Sequence, residues 1–452
     1  MNLATINTKT HNKLKPRFNS LFCLVLSLSK DAFLCFWGQN FLIFGLALLF
    51  LLSRGKGTFT GDSVPYRYLP IALLKHGTFR LDAFPHLAEP QYYAIVRDRQ
   101  GSLISKKPVT PALFEVPFFL GYAAFKGKLP QNEWTMMQLG RLTMCVISAI
   151  ACVLLAMSLK GLHHRFLPLL GGLGLVMMTP FWFTALDCWP HPLLAALNAA
   201  CLLLISRRKS QRTWVFIGLF QGIAITTRLG AGVVSLVFLA AALLEKSELR
   251  SSRMRHAAGM ILGALPPLIL LGWYNQKYFG NPFTTGFGSQ VAGRIRAPFG
   301  ALAGLLVSPA KGIFLYSPIF VFGFASLRKS LREKFEIRLS LLCLLFHTLL
   351  WSFYADWWGG WAWGPRYLMD VMPFALFIAC ISIDHLLAKS SNKKRLLILI
   401  IVFAVLSFAI QCVGIMTWNG EYHRTFDKGW GEGRNWVWKS PYEPLWRLVR
   451  MK

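Results

Sequence analysis

The chain is 452 residues long, 54% hydrophobic and only 15% charged, with a formal net charge of +30 and a mean hydropathy of +0.45. A soluble protein of this size needs far more surface charge, and a β-barrel would show short alternating segments, which are absent. The basic residues fall between apolar runs, where they set topology and touch anionic headgroups, so the charge argues for membrane lipid and against nucleic acid as a partner.

Apolar runs of roughly 20 residues predict an all-α polytopic membrane protein. Residues 1–32 carry Lys9, Lys13, Lys15 and Arg17 and form a basic cytoplasmic N-terminus. The run 33–53 has no small-residue cleavage site and reads as a retained signal anchor. Further apolar candidates follow at 109–125, 139–159, 166–186, 190–206, 213–228, 231–244, 256–274, 312–327, 337–354, 367–387 and 396–416. Basic clusters beginning at Arg207, Lys246, Arg328 and Lys389 are two spans apart and therefore share one side, the cytoplasm. The candidate 109–125 is short, carries Glu115 and is interrupted by Pro111 and Pro117, so it is expected to be an interfacial or re-entrant helix on the outer side. About eleven spans remain, with the N-terminus inside and the C-terminus outside. The expected organisation is a membrane domain at 33–416 and an outer tail at 417–452 that packs on the outer loops. Those outer segments are a large first loop with juxtamembrane helices (54–137), a loop at 275–311 and a turn at 355–366.

Nearly all the unusual chemistry falls in these outer segments. Asp62, in Thr60-Gly61-Asp62-Ser63, lies just past the first span, and a carboxylate at a helix exit from the bilayer is costly unless it has a use. Asp187 and His191 flank Pro190 in the turn Asp187-Cys188-Trp189-Pro190-His191, which aims both toward an outer cavity. Asp62, Asp187 and His191 are of the ligand type for a divalent metal, but no spacing enforces a site, and no metal is assigned. The stretch Asp356-Trp357-Trp358-Gly359-Gly360-Trp361-Ala362-Trp363-Gly364-Pro365-Arg366-Tyr367 joins indoles that can stack on sugar faces to an Arg that can grip a phosphate. Lys311, Arg228 and the pair Lys106-Lys107 are further cations on the outer side, against the charge rule, and are candidate phosphate partners. The nine cysteines form no Cys-x-x-Cys pair, and most lie in apolar runs as small packers. There is no Gly-rich phosphate loop, His-Glu-x-x-His or Gly-x-Ser-x-Gly motif, so ATP-driven work, metalloprotease and serine hydrolase chemistry have no support.

The early Gly-Asp, the long first loop, the Asp turn, Tyr-Asn…Gly-Asn-Pro-Phe, Ser-Pro-x-Lys-Gly and Trp-Trp-Gly-Gly-Trp-x-Trp-Gly-Pro-Arg-Tyr, in that order from about Gly61 to Arg366, resemble the C-type (GT-C) membrane glycosyltransferases. Among these are bacterial relatives of the protein O-mannosyltransferases and of the lipid A aminoarabinose transferase. The resemblance implies a GT-C-like helical bundle in the bacterial inner membrane. It also implies a polyprenyl-phosphate-linked sugar donor and a catalytic Asp that matches Asp62. The protein O-mannosyltransferases carry Asp-Glu at this point, whereas Ser63 follows Asp62 here. On this reading Asp62 is the general base. Arg366, Lys311, Arg228 and Lys106 face the donor phosphate. Asp187, His191, Trp357, Trp358, Trp361 and Tyr367 hold sugar or acceptor, the latter an envelope glycan, lipid or protein. The competing readings are a lipid-linked glycan transporter or flippase, and an inactive relative that binds such glycans; transporters show repeated halves, and none is visible.

Overall fold

A computed structural model of the protein describes residues 30–54, 60–207, 210–244, 249–287, 295, 297–325, 327, 331, 334–360 and 362–417. Trp361, most of the N-terminal segment and the tail beyond Thr417 lie outside the described residues, and with them the expected packing of that tail on the outer loops. The chain divides into Met1–Leu42 and Ile43–Lys452. The first unit contributes the opening turns of helix α1 (Lys30–Ser53), and the second carries every other element.

The second unit is a multi-pass helical fold. Its principal helices are α2 (Val64–His76), α3 (Thr110–Lys126), α4 (Glu133–Ser158), α5 (Leu167–Met177), α6 (His191–Arg207) and α7 (Gln211–Thr227), then α8 (Gly232–Leu244), α9 (Arg250–Phe279), α10 (Phe299–Val307), α11 (Phe335–Ser352), α12 (Met372–Lys389) and α13 (Lys393–Thr417). Five helical stretches among the described residues are long and apolar enough to cross a membrane: Glu133–Ser158, Arg250–Phe279, Phe335–Ser352, Arg366–Lys389 and Lys393–Met416. Local signals set the ends. The Asn132 side chain accepts the Thr135 N–H at 2.7 Å to start α4, and Ser210 does the same for Thr213 at α7. Gly280, at φ +75°, closes α9. Gly218 of α7 lies on the Met260 backbone of α9, and Gly263 of α9 on the Val215 backbone of α7; any side chain there would force the two helices apart.

Two expected spans are broken. The run 166–186 stops as α5 at Met177 because Pro180 cannot continue it, and Thr179 takes up the loose backbone, donating to the Leu175 carbonyl at 2.6 Å and accepting the Phe181 N–H at 3.2 Å. The run 312–327 resolves into short turns at Ile313–Tyr316, Pro318–Val321 and Phe322–Ala325. Pro318 interrupts it, and α13 supplies the missing partners: Gln411 donates to the Tyr316 carbonyl at 2.6 Å, and Ser407 accepts the Ile319 N–H at 3.0 Å. Broken backbone is tolerated at membrane depth only where such partners exist.

The segment between α1 and α4 holds the expected helices (α2 and α3) and a two-stranded antiparallel hairpin that the all-α expectation did not include. Its strands, β1 (Ile95–Arg97) and β2 (Leu103–Ser105), pair Val96 with Ile104. Asp98 closes the turn by accepting the Gln100 and Ser102 N–H groups, and Arg80 pairs with Asp98 at 3.0 Å. This ladder fixes where the chain leaves β2, and so where Lys107 points.

Candidate active site

Asp62 sits in a short 3-10 turn, Gly61–Ser63, that feeds α2. Its carboxylate meets three side chains from three distant segments. Lys107, just after β2, reaches Oδ1 with Nζ at 2.6 Å. Tyr93, before β1, donates its hydroxyl to the same oxygen at 3.1 Å. Arg366 pairs with Oδ2 at 3.5 Å. The acidic turn and the Trp-rich turn, 304 residues apart in sequence, therefore meet at one point. The Asp62 side chain keeps 28% of its surface, so the site is open to a ligand. Burial opposes ionisation, but the Lys107 ammonium and the Arg366 guanidinium outweigh it and hold the carboxyl well below the usual carboxylate range. Burial and the neighbouring Asp62 push the Tyr93 phenol up. Gly61 is packed directly under the Tyr93 ring, where a Cβ would collide with it.

Asp187 lies behind this turn rather than in the opening. It is 3% exposed, and its Oδ2 accepts from the Thr60 N–H at 3.0 Å, the Thr60 hydroxyl at 2.8 Å and the Ser63 hydroxyl at 2.7 Å. Its Oδ1 accepts the Cys188 N–H at 2.8 Å. Trp189 adds an indole N–H to the Thr60 hydroxyl at 2.8 Å, and Arg67 donates to the Thr60 carbonyl and the Ser63 hydroxyl at 3.1 Å each while pairing with Glu133 at 2.7 Å. Burial pushes the Asp187 carboxyl up, against the pull of Arg67 and the hydroxyls of Ser63 and Thr60. Expected to touch sugar or acceptor, Asp187 is instead committed on both oxygens to the backbone and hydroxyls that carry Asp62.

His191 is likewise buried and turned inward. Its Nδ1 lies 2.6 Å from Asp370 Oδ1, and Arg228 reaches Asp370 Oδ2 at 3.2 Å. His347 lies 3.6 Å from Asp370 Oδ2 and 2.9 Å from the Tyr367 carbonyl, and Asn198 donates to the Asp370 carbonyl at 2.8 Å. The Arg228 guanidinium lies 3.9 Å from the Trp351 ring centre, and Trp351 stacks on Tyr367 at 4.2 Å. Arg366 covers Tyr367 as well, at 5.2 Å, and Trp189 at 4.8 Å. Buried His191 and Tyr367, with the partly exposed Arg228, thus form a polar and aromatic support beneath Arg366, with a carboxylate already on Arg228.

Lys311 is 1% exposed, and its Nζ donates to the Gly360 and Ala362 carbonyls at 2.9 and 2.6 Å. Expected at the donor phosphate, it instead ties down the loop that presents Arg366. Trp357 and Trp358 are core side chains rather than open stacking faces; Trp357 packs on Gly304. Trp363, the next described indole, bonds Gln411 at 3.0 Å together with Trp182. Lys106 points toward Phe287 at 5.5 Å, and its neighbour Lys107 is the one that meets Asp62. Asp370, His347 and Tyr93 were not singled out from the sequence. For the first two the signal was present, since an ionisable residue inside an apolar run is a functional or structural marker. Among the described residues no group of three or more His, Cys, Asp or Glu could hold a metal ion.

No family model matches the chain, and no curated protein matches it. Solved structures do. ArnT from Cupriavidus metallidurans bound to undecaprenyl phosphate is similar over 91% of this chain and 70% of its own, with a TM-score of 0.54 at 14% identity. The archaeal oligosaccharyltransferase AglB from Archaeoglobus fulgidus, in complex with an inhibitory peptide and a dolichol-phosphate, is similar over 90% of this chain with a TM-score of 0.54 at 9% identity. The chain spans 60% of AglB's length. The likeness is one of fold: this protein has the fold of those two proteins.

Proposed function

We propose that this protein is an integral-membrane glycosyltransferase that moves a sugar from a polyprenyl-phosphate donor to an envelope acceptor. The observation that carries this reading is the partly open constellation of one carboxylate, Asp62, between two cations, Lys107 and Arg366. A fold shared with a protein that binds undecaprenyl phosphate and one that binds a dolichol-phosphate supports the donor class.

The chemistry needs little else. A sugar on a lipid phosphate has a good leaving group, so one base on the face opposite it suffices, by analogy with the geometry of inverting glycosidases. Asp62 takes the acceptor hydroxyl proton as that oxygen bonds to the anomeric carbon. The bond from the anomeric carbon to the phosphate oxygen breaks, and the lipid phosphate leaves with the electron pair. The departing group gains negative charge, which Lys107 and Arg366 neutralise. The product sugar carries the inverted configuration. Asp187 positions Asp62 through Thr60 and Ser63, and the Asp370 cluster with Lys311 positions Arg366. In the full reading about eleven spans cross a bacterial inner membrane, N-terminus inside, with this site on the outer face.

The test is transfer of label from a radiolabelled polyprenyl-phosphate sugar to acceptor in membranes carrying the protein, with the anomeric configuration of the product determined. Label should leave the lipid and arrive inverted. Retained configuration, or uptake of intact labelled donor without transfer, would count against the mechanism and for a transporter respectively.

A further inference from the structure

The Asp62 constellation is occupied by its own side chains. A general base works best when its carboxylate is unencumbered and its basicity lies near the working pH, yet each oxygen of Asp62 faces a cation: Oδ1 has Lys107 at 2.6 Å, Oδ2 has Arg366 at 3.5 Å, and Tyr93 donates to Oδ1 as well. Bridging two cations with two oxygens is also what a phosphate does. Two positive charges on one negative charge leave the cluster net positive by one, enough to attract an anion but not to hold it while Asp62 competes.

Resting on the donor reading above, we propose that the donor's phosphate takes Lys107 and Arg366 from Asp62, so that donor binding is the event that frees the base, and that donor therefore binds before acceptor. The ligand class is a phosphate ester carried on a polyprenyl chain. Among the described residues, the groups that bond or back Asp62 come from several separate segments, with the buried Tyr66 phenol of α2 within electrostatic reach. Lys107 follows β2, Arg366 opens the 366–371 turn, Tyr93 precedes β1, and Asp187 lies behind through Ser63 and Thr60. Among these described groups the second carboxylate, Asp187, is buried, so an arriving phosphate meets the two cations and the Tyr93 phenol beside Asp62. Lys107 also has Phe287 beneath it, at 5.0 Å from the ring centre, which gives the ammonium a surface to swing against. Once the cations turn to the phosphate, Asp62 loses the charges that depress its basicity, and the freed oxygen stands where the Tyr93 hydroxyl marks a hydroxyl donor's place. An acceptor arriving first would find a carboxylate already neutralised.

Competition is reciprocal, which makes it measurable without turnover. The full chain in detergent is titrated with farnesyl phosphate, a short polyprenyl monophosphate, and thermal unfolding of each variant is recorded alongside. Asp62→Asn removes the competing charge and should tighten binding at least about fivefold, the lower end of coupling between linked sites. Lys107→Ala should loosen binding, and adding it should shrink the gain from Asp62→Asn. Should Asn not be accommodated, Asp62→Ser gives the same reading. Unchanged or weaker binding in a carboxylate-free variant that still unfolds in one cooperative transition overturns the proposal. Farnesyl phosphate that binds neither wild type nor variants overturns the donor reading itself, a separate and distinguishable outcome.

Discussion

The Ser63 hydroxyl donates to the Asp187 carboxylate at 2.7 Å, across 124 residues of chain. That bond, with the two from Thr60, fixes the turn on which Asp62 stands, and it gives the second acid a positioning role. Asp187→Asn replaces an acceptor oxygen with a donor facing hydroxyls and an N–H. Hydrogen bonds to a charged group are worth about 1.5–3 kcal/mol, so turnover should fall roughly tenfold or more. The KM for donor should change little, because the cations are untouched. A rise in donor KM with kcat preserved would return Asp187 to the binding surface.

Lys311 separates two roles by a single measurement. As a buried tie to Gly360 and Ala362, its replacement by Met leaves two carbonyls without a donor, at a cost of about 1–3 kcal/mol. Lys311→Met should therefore lower the unfolding temperature. Wild-type stability combined with weaker farnesyl phosphate binding would place the ammonium at the phosphate after all.

The Asp370 cluster should behave as a unit. Asp370→Asn leaves Arg228 without its carboxylate, and because Arg228 keeps some solvent the loss should fall below the about 3–5 kcal/mol of a fully buried pair broken from one side. Removing both partners, as Asp370→Asn with Arg228→Met, should recover part of that loss in a double-mutant cycle of unfolding free energies. Arg228→Lys should not be neutral, because the flat guanidinium stacked over Trp351 has no lysine equivalent. Strict additivity of the two single losses would dissolve the cluster as a unit.

Asp62 sets a pH expectation. Its folded-state carboxyl is held low by Lys107 and Arg366. The stability it draws from them is thus fully present above the unfolded value near 4 and is lost only as pH falls through the lower folded value. Unfolding temperature should show no change from this pair between about pH 8 and 5. Activity should differ: if phosphate takes the cations away, the acid limb of kcat, which reports the loaded enzyme, lies at higher pH than that of kcat/KM, which reports the free one. Coincident limbs would contradict the exchange.

The helical, multi-pass character and several of the long apolar runs were legible in the sequence, because apolar run length is a local signal with a fixed physical cause; the sequence put Asp62 and Arg366 in one outer site, while their direct pairing is visible only in the structure. The breaks in two runs were less so. Pro180 and Pro318 are visible, but whether a helix tolerates a proline depends on remote donors such as Gln411. The choice of Lys107 over Lys106 was not legible at all. It follows from the register of the β1–β2 hairpin and the Ser105 turn that accepts the Lys107 N–H at 3.0 Å, and a one-residue slip would have exchanged the two lysines. The indoles misled for a related reason: a Trp-rich turn next to a bilayer reads as a sugar platform, yet Trp357 and Trp358 are spent on packing. Burial is decided by what crosses over a segment, and neighbouring residues in sequence do not encode it.

The most direct test of the central claim is the single-turnover rate of Asp62→Asn with donor and acceptor both saturating. The variant should hold donor at least as tightly as wild type and transfer its sugar about 10²- to 10⁴-fold more slowly, the usual worth of a positioned general base. Transfer at a near-normal rate from the bound donor would remove Asp62 from the chemistry and the account with it.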